Sequence, residues 1–415
     1  MRIAILILLM AFPMIVFQNC SGFTALSGSS SAVDAVSGAT TTVSTLSFSN
    51  SLISSAHRYE AGEMYGGWGP HLGHLLRSSE NEMWFVDDSG NNVDVNAGLV
   101  YFHYVNGSWV SVVSQAFPGT VQQNTGSVMS GNMIYTYGVD TADERVIECY
   151  FDTSNATYSF HACNDVPFNT GASSNYIGAT ISKSGARVVW WTNTTGTFSY
   201  IYNFGGGWNG PITSNLPGYT DLSYVYARLH ADNSNIDFLG AAAHAQGGAS
   251  VGYDVLYAST TLGNAISNWQ LITSNGTGSE TWIDPSDGTH FITYSDTTST
   301  AEYFYKPAGS TVLSGYSLPY TGLVSARIIE TATTVNLVAS LSDGTVKYKT
   351  LNLANISGAI GWSSLPDNNV SVPSGLGSIT IFPESAMYQT NSPQALDFAI
   401  NGEINQADVY FVQGK

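Results

Sequence analysis

His71 and His74 lie three residues apart in Gly69-Pro70-His71-Leu72-Gly73-His74, and two converging imidazoles could pass a proton or hold a metal. On an extended strand that spacing sends them to opposite faces, so they meet only if Pro70 and Gly73 break the strand. Two arginines share a local pattern, Val225-Tyr226-Ala227-Arg228 and Val324-Ser325-Ala326-Arg327. Guanidinium groups grip carboxylates with paired hydrogen bonds, so two of them at one repeated position would suit an acidic ligand. Glu280 stands two residues before Trp282, a carboxylate beside a ring that could stack on a sugar, and Tyr176 and Tyr224 offer further aromatic contacts. Asp87, Asp88 and Asp94 bracket a short loop rich in Asn and Gly, an oxygen-rich span that could take calcium. It does not follow the EF-hand pattern, and the same residues make ordinary turns.

Other chemistries are excluded by pattern. The chain has no Gly-rich phosphate loop, no Gly-x-Ser-x-Gly elbow and no His-Glu-x-x-His pair. Its 415 residues carry 12 Lys and Arg against 30 Asp and Glu, a formal charge of −18. Such a surface repels phosphate, so nucleic acid is not an expected partner. With 43% hydrophobic residues the chain is not disordered.

The N-terminus reads as an address. Met1-Arg2 is followed by an apolar run from Ile3 to Phe17, too short for a bilayer span of roughly 20 residues and suited to a signal peptide. Phe17-Gln18-Asn19-Cys20-Ser21 resembles the lipobox of bacterial lipoproteins, with Gln18 and Asn19 where small residues are usual. The resemblance implies cleavage after residue 19, acylation of Cys20 and, with Ser21 next, sorting to the outer membrane. Residues 20–41, mostly Ser, Gly, Ala and Thr, read as a flexible tether, and 42–415 as one folded domain. An exported chain meets an oxidising compartment. Cys149 and Cys163 flank the turn signal Asp152-Thr153-Ser154-Asn155-Ala156, and a hairpin centred there sets them opposite each other. A cross-strand disulfide is expected.

Short β-branched and aromatic runs bounded by Gly, Asn, Asp and Ser follow one another with almost no helical periodicity. An aromatic marker recurs about every fifty residues, at Trp109, Tyr158, Trp208, Trp269, Tyr316 and Trp362, and a period of that length without helices suggests propeller blades. In the interval ending near Trp208 four strands fit: Tyr176–Ile181, Arg187–Thr192, Phe198–Phe204 and Trp208–Thr213. Six markers give six blades. Three further strands follow Trp362, and one spare run, Thr42 to Phe48, could complete a last blade and remove the open edges. The expectation is an all-β, seven-bladed β-propeller closed by an N-terminal strand. Six blades, or a pair of β-sandwiches, are the alternatives.

The blade pattern, with Gly then Trp opening an outer strand, resembles the BNR-repeat or sialidase-like propeller superfamily over roughly residues 45–415. Sialidases carry Ser-x-Asp-x-Gly-x-x-Trp boxes between their third and fourth strands. The nearest matches, at Ser286-Asp287-Gly288 and Ser342-Asp343-Gly344, fall in other turns, and the sialidase Arg-Ile-Pro motif is absent. No catalytic residue carries over.

In a propeller the loops between blades, and those joining second to third strands, surround the central channel on one face. Binding is expected there, through His71, His74, Tyr176, Tyr224, Arg228, Trp282 and Arg327. The function expected is non-catalytic recognition of glycan or of an envelope or cell-surface protein, by a lipid-anchored propeller needing no cofactor other than calcium at most. The rival is a carbohydrate-active enzyme, a glycoside hydrolase or polysaccharide lyase on an acidic glycan, with His71, His74 and Glu280 as its candidate catalytic groups.

Overall fold

The computed structural model describes residues 45–55, 73–79, 82–88, 98–117, 125–140, 143–154, 160–171, 174–193, 195–244, 253–295, 300–384, 393–404 and 408–415. These form seven four-stranded antiparallel sheets, each a blade of a β-propeller. Blades 1 to 6 follow the chain, their strands lettered A to D from the channel outward. The six-bladed and sandwich alternatives are thereby excluded.

Blade 3 shows how closely local pattern sets the elements. Its strands are Ser174–Ile181, Arg187–Asn193, Thr197–Asn203 and Trp208–Asn215. Gly185 and Gly196 turn the chain between them at φ 87° and 76°, a region costly for any residue with a Cβ. The aromatic markers open or precede the outer strands, and packing explains their period. Trp208 meets Tyr137 of blade 2 at 5.8 Å, Trp269 of blade 4 meets Phe198 of blade 3 at 5.5 Å, and Trp362 of blade 6 meets Tyr303 of blade 5 at 6.2 Å. Trp109 of blade 1 meets Phe411 of blade 7 at 5.4 Å. These four markers are therefore wedges against the preceding blade, whereas Tyr316 of blade 5 packs on Tyr303 of its own blade at 5.7 Å. Tyr158 lies outside the described residues.

Blade 7 is composite. Ile379–Pro383, Leu396–Gly402 and Val409–Gly414 come from the C-terminal end, and Phe48–Ser54 supplies the outer strand. Phe48 pairs with Gly414, and Ser47 and Lys415 exchange two backbone hydrogen bonds. The closing strand was expected at Thr42–Phe48 and begins where that run ends. Pairing register overrode β-propensity: Phe48 packs edge-on against Tyr348, and Ile53 enters the blade 7 core. The seam between blades 7 and 1 is pinned by buried Arg77, whose Nε lies 2.9 Å from Glu384 Oε2 and Nη2 2.6 Å from Asp397 Oδ2.

Cys149 and Cys163 are directly paired on strands Arg145–Asp152 and Phe160–Asn169 and form the expected disulfide.

Candidate functional site

Blade 4 presents two different faces to its neighbours. Its strands are Tyr219–Leu229, Asn235–His244, Asp254–Thr261 and Gln270–Thr273. Leu222, Val225, Leu256 and Ala258 enter an apolar cluster shared with blade 3, including Val188, Trp190 and Tyr200. Alternation turns the intervening residues toward blade 5, as Tyr226, Val255 and Tyr257 show by packing with Phe291. On that side the seam is polar along much of its length.

At the loop-face end stands Asp221. Burial raises its carboxyl pKa, against a hydrogen bond from the Ala243 backbone, and its Oδ1 is buried without a hydrogen-bond partner. Tyr253 is close enough for the Asp221 charge, added to burial, to push its phenol pKa upward. The rings of Tyr253 and Tyr224 stand edge to face at 6.2 Å and 85°. Tyr224 has φ 48°, a left-handed conformation that an aromatic residue rarely adopts, within the bulge where pairing shifts between Ser223 and Tyr226. Such strain is held by surrounding structure and collects at binding sites. A carboxyl that keeps its proton to higher pH than usual can donate as well as accept, and two rings at right angles give it an apolar corner. Together these groups can hold a hydroxyl-bearing ligand.

Midway along the seam, Glu280 on Gly276–Ile283 is fully buried, with Oε1 3.0 Å from Arg228 Nη2 and accepting from the Thr281 amide at 2.9 Å. Burial raises its pKa; Arg228, Arg327 and that amide oppose the shift without cancelling it. Arg327, on Leu323–Glu330, donates from Nε to Ile381 O of blade 7 and from Nη1 to Ala326 O, and its guanidinium lies 5.4 Å from the Tyr226 ring.

The two arginines do not occupy equivalent positions, contrary to the sequence expectation. Counted from the hydrogen bond closing each A–B turn, Arg228 stands two residues before His230 and Arg327 four before Thr331. By that count Arg327 matches Glu280 and Tyr226. The shared Val-x-Ala-Arg pattern therefore sits two residues nearer the A–B turn in blade 4 than in blade 6. Arg228 also lies seven residues from Asp221, about 20 Å along a strand rising roughly 3.3 Å per residue, so the two belong to different ends of the blade. Both guanidiniums are engaged inside the protein.

The remaining candidates are scattered. His74 is buried between Phe85 and Phe382, its Nδ1 donating to Val86 O at 2.8 Å. Trp282 is fully buried and donates from Nε1 to Glu330 Oε2 at 3.0 Å, so it offers no stacking face to a ligand. Asp87 is buried at the end of Glu82–Asp88, facing Val100 across the sheet. The backbones of Asp88 and Tyr176 are described but not their side chains, and Cys20, His71 and Asp94 lie outside the described residues. Among the described residues no group of three or more His, Cys, Asp or Glu is arranged to hold a metal. The two box-like turns sit between strands A and B of blade 5 and strands B and C of blade 6, as their sequence position indicated.

Sequence reading passed over Tyr253 and a charged cluster at the opposite end of the seam. There His230 bridges Asp237 and Asp287, with Lys306 3.9 Å from Asp237. Asp237 and Lys306 lie 69 residues apart and His230 and Asp287 57, and only the place of His230 and Asp287 in neighbouring A–B turns could have flagged the cluster.

No protein-family model matches the chain, and no curated protein sequence matches it. Solved structures do. The BP39L lectin from Burkholderia pseudomallei superposes with a TM-score of 0.52 at 12% identity, over 80% of this chain and 96% of the lectin. The polysaccharide lyase Uly1 gives 0.52 at 11% identity, over 89% of this chain and 99% of the lyase. A chain of the mitotic checkpoint complex gives 0.51 at 8% identity, over 87% and 92%. What these proteins share with this chain is the fold.

Proposed function

We propose that this protein is an exported, surface-tethered propeller that binds glycan at the loop-face end of the seam between blades 4 and 5. The observation that carries the reading is the Asp221–Tyr253–Tyr224 corner: a half-buried carboxyl of raised pKa beside two perpendicular rings on strained backbone. Aromatic faces pack on the C–H surface of sugars while a carboxyl meets their hydroxyls. The fold shared with a lectin and a polysaccharide lyase supports the same ligand class. Anchoring through Cys20 rests on the lipobox resemblance.

The binding reading is preferred to catalysis because Tyr253 is driven away from the pKa range of a base, and His74 is enclosed by aromatic rings. With Arg228 and Arg327 held internally, the ligand is a neutral glycan rather than an acidic one.

A glycan array probed with the full chain, with and without EDTA, tests this. Capture of neutral oligosaccharides by the wild type, weakened in Asp221→Asn and Tyr253→Phe variants of unchanged circular dichroism, is the expected result. No capture in either condition, or capture indifferent to both substitutions, overturns it. Turnover of the captured glycan would move the protein to the enzyme class.

A further inference from the structure

The opposite flank of blade 4 holds a second recess. A cavity of about 490 Å³ opens between strand D of blade 3 and the segment joining strands C and D of blade 4. That lies within the roughly 300–1,000 Å³ usual for small-molecule sites. Its deep wall is apolar, from Leu216, Leu256 and Ile266, and the Ile266 amide donates to Ser214 Oγ at 2.7 Å, which fixes the segment over the outer strand. Trp269 forms one side, set edge-on against Phe198 at 5.5 Å. Asn215 and Asn268 line the exposed rim with amide groups that both donate and accept. Among the described residues no Asp, Glu, Lys, Arg or His lines the cavity.

We infer that this recess is a lateral binding site for a neutral saccharide, separate from the loop-face corner. Each lining feature restricts the ligand class. An ionised ligand would be desolvated here without a counter-charge, at a cost the site cannot return. A purely apolar ligand would make no use of the rim amides. A sugar ring presents C–H faces to an indole and hydroxyls to amides at its edge, which is the combination found. The residues differ from Asp221, Tyr224 and Tyr253, so this inference does not depend on binding at the loop face.

The test is saturation-transfer difference NMR of the full chain with a mixture of methyl glycosides of glucose, galactose, mannose, fucose and N-acetylglucosamine, with methyl glucuronoside as the charged member. Ala265→Trp fills the recess from an exposed position, and Asn268→Ala removes a rim amide without touching the core. Neutral glycosides should give signals with the wild type and with Asp221→Asn. In the Asp221→Asn background, which disables the loop-face corner, Ala265→Trp should abolish them and Asn268→Ala should weaken affinity by about tenfold. Signals that survive both recess variants in that background, signals lost in Asp221→Asn alone, preference for the glucuronoside, or no signal from any glycoside would each overturn the inference.

Discussion

The imidazole of His230, from the A–B turn of blade 4, lies 2.7 Å through Nδ1 from Asp287 Oδ1 in the A–B turn of blade 5. Its Nε2 is 2.9 Å from Asp237 Oδ2, so one ring is gripped by carboxylates from two blades. Burial pulls the imidazole pKa down, but the hydrogen bonds and charges of Asp237 and Asp287 outweigh it and the net shift is upward. For Asp237, burial acts upward, while His230 and Lys306 prevail and hold the pKa low.

Stability should therefore depend on pH with a known sign. The His230 contribution is complete below the unfolded value near 6.5 and is lost as pH rises through the higher folded value. The Asp237 contribution is present above about 3.9 and is lost as pH falls through its lower folded value. Thermal melts followed by circular dichroism should show the melting temperature falling from about pH 6 to about pH 9, less steeply in Asp287→Asn than in the wild type.

Arg77→Met should be among the most damaging single changes. It leaves Glu384 and Asp397 buried without their guanidinium, and breaking such a pair costs roughly 3–5 kcal/mol. Urea denaturation should show that loss, and the triple variant with Glu384→Gln and Asp397→Asn should recover part of it.

Reducing the Cys149–Cys163 bond, whose partners are separated by 14 residues, should lower unfolding free energy by about 3 kcal/mol, the value expected from loop closure in the unfolded chain. Urea curves with and without dithiothreitol give the difference directly.

Glycan affinity at the loop face should titrate with Asp221. The carboxyl keeps its proton above the ordinary aspartate range, so affinity should change at a pH higher than a free aspartate would set. Isothermal titration across that range should show the step in the wild type and a flat profile in Asp221→Asn.

Most of the architecture was legible because it repeats. Wedges such as Trp208 and Trp362 recur at the outer strands of several blades and so punctuate the sequence, and the turn signal between the cysteines pointed to the pairing of Cys149 with Cys163. The candidate site was less legible for the opposite reason. The motif shared by Arg228 and Arg327 sits two residues nearer the A–B turn in blade 4 than in blade 6, and Tyr224 takes its strained conformation in a bulge that the motif does not mark. The His230 cluster joins residues of blades 4 and 5 that stand far apart in the sequence. Repetition announces what is common to the blades, whereas a site depends on where one blade differs.

Pairing of Phe48 with Gly414 also sets an order of events in time. The first described strand waits for the last, so during synthesis six blades can assemble while the seventh lacks its outer strand. Ring closure is then the final step, it carries nearly the longest sequence separation the chain allows, and it should limit the folding rate. A chain interrupted before Val409 cannot complete it and keeps an exposed strand edge on which other chains can pair.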